Sequence, residues 1–198
     1  MAENTQNVFV GAPKAGGAIW SAPMGTAVPT DAITELDTAF HSLGFISEDG
    51  IVNAEELESE DIKAYGGKVV KTVQTSRKET YVFSPIETNK YTLAERFGDD
   101  NITLDAQGNL CAVHNAKSRP AKVYVVETVL DANKVQRDVI PMGRITAIGE
   151  RAYKNGEPIA GELTLTCEDD AKGNTAYTYI AEIVENTPEQ GGENQHGN

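Results

Sequence analysis

The residues with the most evident capacity for chemistry are Cys111 and His114, a C-x-x-H pair with metal-ligand spacing. A structural zinc site needs about four ligands, and no second pair accompanies this one, so coincidence of spacing is the better reading. The other cysteine, Cys167, lies far along the chain. Both fall in strand-like stretches and are expected to be buried free thiols acting as small hydrophobes. Asp99, Asn101 and Asp105 carry oxygen ligands, but their spacing is not that of an EF-hand and no closing glutamate follows. A cluster of turn residues accounts for them. Residues Gly11 to Gly17 (GAPKAGG) have the glycine content of a phosphate loop. They lack its closing Gly-Lys-Ser/Thr and its strand-to-helix setting. His41 and Ser42 are adjacent, which does not make a triad, and His196 sits near the chain end. Neither G-x-S-x-G nor H-E-x-x-H occurs. Paired carboxylates are abundant, as an acidic chain produces by chance. These residues imply no enzyme, no catalytic, cofactor-binding or metal residue, and no cofactor.

Charge narrows the classes further. Acidic residues number 30 and basic residues 17, a net charge of −13. Binding to nucleic acid through its phosphates needs clustered Lys and Arg, so this chain is expected to repel DNA rather than hold it. Negative charge also keeps an abundant protein soluble. A chain of 198 residues suits one domain, with room for extended arms, and can bury a core without disulfides. The longest apolar runs, such as Val123 to Val126, are too short to span a membrane. The start, MAENTQNVFVG, has no basic stretch leading into an apolar run, so no secretory signal is expected.

The elements available to position these residues are mostly strands. Residues 1–30 read as an N-terminal arm and irregular segment. Val8 to Val10 suit a short strand, and Trp20, the only tryptophan, falls among Gly and Pro. Residues 31–184 read as one β-rich domain. Thr30 to Phe40 has partly helical spacing in Ile33, Leu36 and Phe40, with Thr30 or Asp31 as cap. Leu43 to Ile51 suits a short strand and turn, and the acidic run Asn53 to Asp61 suits a solvated loop. Next comes the longest feature, a β-hairpin over about 68–85. Val69, Val70, Thr72, Val73 and Thr75 are β-branched, Thr80, Tyr81, Val82 and Phe83 return, and Ser76-Arg77-Lys78-Glu79 reads as its charged turn. Its first arm, Lys68 to Thr75, spans about 26 Å at ~3.3 Å per residue. Tyr65-Gly66-Gly67 reads as a corner before it, and Pro85 as its end. A helix is expected over about 87–97, with Ile86, Lys90, Leu93 and Phe97 on one side and Gly98 as C′ residue.

From Ile102 onward the pattern is a β meander. Ile102–Asp105 pairs in pattern with Leu110–His114, Lys122–Leu130 with Val135–Ile140, and Arg144–Tyr153 with Ile159–Cys167. The last pair flanks Asn155-Gly156, the strongest short hairpin signal. Thr175–Ile183 follows. Turns recurring this regularly argue for a sandwich or barrel. Residues 185–198 contain almost no apolar side chain and read as a flexible tail.

The order of short motifs carries a family resemblance. It runs G-A-P-K-A-G-G-A-I-W at the N-terminus, L-G-F-I-S-E-D-G-I at Leu43 to Ile51 and E-D-I-K-A-Y-G-G at Glu60 to Gly67, then the hairpin, a helix ending R-F-G-D-D-N and the meander. Over nearly its whole length the chain resembles the major tail proteins, or tail tube proteins, of long-tailed phages and prophages of Gram-positive hosts with non-contractile tails (the siphophage type). Tyr65 stands where Trp is expected in the aromatic-Gly-Gly corner; both are large aromatics with a polar handle.

The resemblance implies a β-sandwich or barrel with a long β-hairpin and one flanking α-helix, six copies forming a ring and rings stacking into a hollow tube. Four strands per subunit line an aqueous channel, closure removes exposed edges, and an acidic lumen lets the genome pass to the host without specific binding. Other tail proteins, such as tape measure and terminators, become partners. The protein then belongs in the virion tail and is assembled in the host cytoplasm. Val69, Val70, Thr72, Val73, Gln74, Thr80, Tyr81, Val82 and Phe83 become candidates for the channel wall and subunit pairing. Alternation puts Val70, Thr72, Gln74 and Ser76 on the more polar, lumen-facing side. Arg77, Lys78 and Glu79 at the hairpin turn, Glu58, Glu60 and Asp61 in the acidic loop, and Val8, Phe9 and Trp20 in the arm become ring-to-ring candidates. Competing readings are a capsid-decoration or host-surface-binding β-domain, a type VI secretion tube-like ring protein, and a cell-wall glycan hydrolase, which requires two positioned carboxylates.

Overall fold

The structure, a computed structural model, describes residues 8–14, 16–131 and 133–183; the tail expected over 185–198 lies outside the described residues. The chain is mainly β, with one antiparallel sheet in the order β3-β2-β8-β9-β10-β5-β4. These strands are β2 (Ile19–Pro23), β3 (His41–Ser42), β4 (Ile46–Lys63), β5 (Val69–Pro85), β8 (Lys122–Leu130), β9 (Lys134–Arg151) and β10 (Gly161–Cys167). β1 (Gly11–Pro13) adds to β8, and β11 (Tyr177–Glu182) adds to β9. β6 (Ile102–Leu104) and β7 (Leu110–Ala112) form a separate hairpin.

β9 organises the sheet. The sequence pattern divides it at Pro141, yet it runs through unbroken. Its first half pairs with β11 up to Val139, and its second pairs with β10 from Gly143. Pro141 falls in the gap between those two ladders, where its missing N–H costs no sheet bond. Gly143 is required where β8, β9 and β10 converge: a Cβ there would lie 2.8 Å from Leu165 Cδ1 and 3.0 Å from Tyr124 Cδ2.

β8 is buried on both faces. Tyr124 and Val126 point into a core with Ile19, Leu43, Tyr81, Phe83, Ile140 and Leu165. Val123 and Val125 face a second core with Ala22, Phe40 and Val139. This double burial explains the uninterrupted apolar run. The second core is covered by residues 31–40, which form turns rather than the expected partial helix. Asp31 Oδ1 does accept from Ile33 N at 2.8 Å and Thr34 N at 2.6 Å, as a cap would. Arg137 Nη1, however, donates to the carbonyls of both Asp31 and Thr34 at 2.9 Å. Those carbonyls are then engaged by a buried cation rather than by a helical ladder.

The one α-helix, α1 (Lys90–Phe97), starts later than expected. Asn89 caps it, its side chain accepting from Tyr91 N and Thr92 N. Glu87, expected inside the helix, turns back to accept from Phe45 N at 2.8 Å. The buried side is Thr92, Ala94 and Glu95 rather than the Leu93–Phe97 stripe, because a polar network holds this helix.

The long hairpin is the largest departure. The reversal lies at Ala64–Lys68, where Gly67 N donates to Ala64 O at 2.9 Å and Ala64 N to Lys68 O at 2.8 Å. Gly66 and Gly67 both take positive φ, 96° and 86°, which suits glycine. The Tyr-Gly-Gly corner is therefore the tip. Arg77, Lys78 and Glu79 are not a turn but lie inside β5, a 17-residue strand. Glu58, Glu60 and Asp61 are not in a loop but in β4, opposite Ser76, Val73 and Thr72. Both strands are solvated on both faces there, so neither shows the alternation that marks a strand in sequence. Their charges are cross-strand partners, Glu55–Arg77 among them.

Candidate assembly surface

β10 pairs with β5 only at Thr80–Phe83. Beyond that root, β5 from Val69 to Glu79 has β4 as its sole strand partner among the described residues, and β4 is the last strand of the sheet. A two-stranded ribbon thus projects from the domain. From the Glu55–Glu79 pair to Lys63 it extends about 26 Å at ~3.3 Å per residue. Its edges present unpaired N–H and C=O groups, a template for another strand. An isolated two-stranded ribbon is also marginal in water. Val52, Leu57, Ile62, Val69, Val70 and Val73 are all exposed on it.

The site residues expected on the channel wall divide into two groups. Val69, Val70, Thr72, Val73 and Gln74 lie on the exposed ribbon. Thr80 and Val82 are half-buried at the root, and Tyr81 and Phe83 belong to the core. The expected lumen face also divides. Glu58 pairs with Ser76, but the next residue, Ser59, pairs with Gln74, so Thr75 is the extra residue of a β-bulge. Consecutive residues of β4 face opposite ways, so Ser76 lies on one face of the ribbon and Gln74 and Thr72 on the other.

A polar cluster braces the root. Glu79, buried, accepts through Oε2 from Thr175 Oγ1 and from Arg77 Nη2 at 3.1 Å, and through Oε1 from Asn53 Nδ2 at 3.1 Å. Arg77 also donates to Glu55 Oε1 and, at 2.8 Å, to Thr175 Oγ1. Arg77 and Glu79, expected to contact the next ring, thus fasten β4 and β5 to Thr175 in the segment before β11. The hydrogen bond to Glu55 raises the Arg77 guanidinium further above its usual value. Tyr81, beside the cluster, is held well above the ordinary phenol range, chiefly by burial.

The arm residues are dispersed. Val8 is exposed, Phe9 lies under Lys134 Nζ at 4.9 Å, and Trp20 sits half-buried within β2, its Nε1 donating to Gly17 O at 3.3 Å. Ile19–Pro23 is therefore a sheet strand rather than an irregular segment, because it pairs with β8 along its whole length. Lys14 Nζ reaches Glu127 at 2.9 Å, and Glu127 in turn binds the buried Arg137 at 2.6 Å. Among the described residues no cluster of His, Cys, Asp or Glu is arranged to hold a metal ion. Cys111 is exposed, contrary to expectation, because the β6–β7 hairpin lies off the main sheet; Cys167 is buried.

Sequence reasoning missed two buried networks, Glu127–Arg137 and Glu95–Lys122, whose partners are too far apart in sequence to show a pattern. It also missed the tip residues Lys63, Tyr65 and Lys68. The double glycine is the available signal: its two positive-φ residues make a reversal rather than a corner.

A family model described as phage tail tube protein matches residues 1–191. No curated protein matches the chain. Among solved structures, the chain is similar to the cryo-EM structure of the anti-feeding prophage cap (AFP tube terminating cap). That likeness has 10% sequence identity and a TM-score of 0.41, covering 91% of this chain and 100% of that one; at that score it carries no argument.

Proposed function

The chain belongs to the phage tail tube protein family, and on that premise we propose that it is the repeating subunit of a hollow tail tube, with six copies in each ring and the projecting ribbon as the ring-closing element. The ribbon with both edges open carries this reading. Copies related by rotation about an axis along the ribbon all point the same way. The free edge of β5 then lies beside β4 of the neighbour, and the two strands run antiparallel. Such a contact is heterologous and closes into a ring. Charge supports the same neighbour: from residue 55 on, β4 carries Glu55, Glu56, Glu58, Glu60 and Asp61 against one cation, Lys63, whereas β5 carries Lys71, Arg77 and Lys78 against one anion, Glu79. Strands of alternating sign follow one another around the barrel. Val69, Val70, Thr72, Val73 and Gln74 then belong to the wall, and Thr80 to Phe83 anchor it in each domain.

A net charge of −13 disfavours adhesion of phosphates, which suits a conduit for the genome. Tape-measure and terminator proteins are the partners this role implies. The role places the subunit in the virion tail after assembly in the host cytoplasm, and it is structural rather than catalytic.

The test is negative-stain microscopy of the concentrated full chain beside a variant in which residues 59–75 are replaced by Asn-Gly. Glu58 and Ser76 are register partners, so this turn joins them directly and spares the root cluster. Wild-type rings or tubes, and a folded variant that forms neither, are the expected outcome. Tubes from the variant would refute the ribbon's role, and a wild type that never assembles would refute the tube reading.

A further inference from the structure

The ribbon tip follows the end of β4, a groove lies at its start, and the two complement each other. Building on the tail-tube reading, we propose that the tip of each ribbon seats in the root groove of a copy in the next ring, so that this contact stacks the rings. The tip is Lys63-Ala64-Tyr65-Gly66-Gly67-Lys68, with Tyr65 fully exposed and a lysine on either side. It is an aromatic held out in water with nothing to pack on, flanked by two cations.

The groove, of about 750 Å³, lies between the segment around β1 and the start of β4, and its lining includes Gly16, Gly17, Gly44, Phe45, Glu48 and Glu87. Its size falls within the ~300–1,000 Å³ typical of recognition pockets. Glycines shape its walls. A Cβ on Gly17 would lie 2.1 Å from Ser42 Oγ, and one on Gly44 would lie 2.2 Å from the Glu87 carboxyl carbon. Phe45 is 75% exposed and offers Tyr65 an aromatic partner.

The charges match. Lys63 and Lys68 at the tip, and Glu48 and Glu87 in the groove, form no ion pair among the described residues. The groove's own cation, Lys14, is already engaged by Glu127 at 2.9 Å. From Ile51, which lines the groove, to Lys63 at the tip, β4 spans about 40 Å at ~3.3 Å per residue, so a chain does not fill its own groove. The contact is head-to-tail, and repeated along the tube axis it generates an open stack rather than a closed ring.

The test is a Tyr65→Cys/Phe45→Cys chain in a Cys111→Ser background, oxidised after assembly and run on a gel without reductant. A disulfide forms only where the two Cα atoms approach within about 7 Å. Each chain then carries one donor and one acceptor, so a ladder extending beyond dimers is expected, while either single variant stops at dimers. Tubes by microscopy without a ladder would overturn the contact. If this variant makes rings that fail to stack, charge exchange decides. Glu48→Lys should abolish stacking, and adding Lys63→Glu and Lys68→Glu should restore it; no restoration overturns the proposal. A wild type that forms neither rings nor tubes refutes the tail-tube reading itself, which separates the two failures.

Discussion

Replacing Glu95 with alanine should cost the domain more than any change on the ribbon. Glu95 is 2% exposed, on the buried side of α1. Its Oε1 accepts from Lys122 Nζ at 2.9 Å and Ser21 Oγ at 2.8 Å, and its Oε2 accepts from the Tyr124 hydroxyl at 2.5 Å. Without the carboxylate, Lys122 keeps only Asp99, also at 2.9 Å, and the buried hydroxyls of Ser21 and Tyr124 lose their acceptor. Removing one member of a buried ion pair costs about 3–5 kcal/mol. In a chain of this size each kcal/mol moves Tm by about 2–4 °C, so a drop of roughly 6–20 °C is expected. Thermal unfolding followed by circular dichroism measures it for Glu95→Ala, Lys122→Ala and the double variant. The double should be less destabilised than the sum of the singles by at least about 1 kcal/mol.

The same network sets an alkaline limit. Burial pulls the Lys122 ammonium down, but Glu95 and Asp99 together outweigh it and hold it above its ordinary value. Burial, reinforced by Glu95, holds the Tyr124 phenol well above its own. Both folded values are raised, so this stability is intact below the unfolded values, about 10 for each group. It is lost as pH climbs through the folded values. A Glu95→Ala chain melting within about 2 °C of wild type, or strictly additive singles, would refute the reasoning.

Two further outcomes follow from particular side chains. Deleting Thr75 removes the mid-ribbon bulge, leaving the one at Ile62–Lys63, without altering which residues oppose one another; Tm should hold within about 2 °C while microscopy shows tubes lost, and wild-type tubes would show that the Thr75 bulge has no part in assembly. Cys167 is buried and its thiol is pushed up to about 12, chiefly by desolvation, whereas Cys111 is exposed. A thiol reagent at neutral pH should therefore modify Cys111 in the native monomer and reach Cys167 only on unfolding; two native thiols reacting at similar rates would contradict the fold.

Strands that alternate, or that lie between clear turns, were legible in the sequence. The pairing of β9 with β10, the β6–β7 pair and the doubly buried Val123 to Val126 come from local patterns of apolar residues and turn chemistry, although the β9–β10 ladder ends at Arg151–Gly161 and leaves a longer loop around Asn155-Gly156 than that dipeptide implies. The ribbon was legible as a long hairpin but not in register, because a strand exposed on both faces has no reason to alternate. Ser76 to Glu79 therefore resembled a turn, and the acidic run of β4 resembled a loop. The residues 31–40 carry helical spacing, and only Arg137, a hundred residues away in the chain, diverts their carbonyls.

The amino-acid sequence alone determined the mainly β class, the lack of any recognisable catalytic motif, the acidic balance and the family resemblance. Each of these resides in composition or in local order. The tertiary structure decided where the reversal lies, which side chains share a ribbon face and which carboxylates are buried against cations. Those depend on pairings between distant segments, such as Glu79 with Thr175 and Glu95 with Lys122, whose energy exists only once the chain has brought them together.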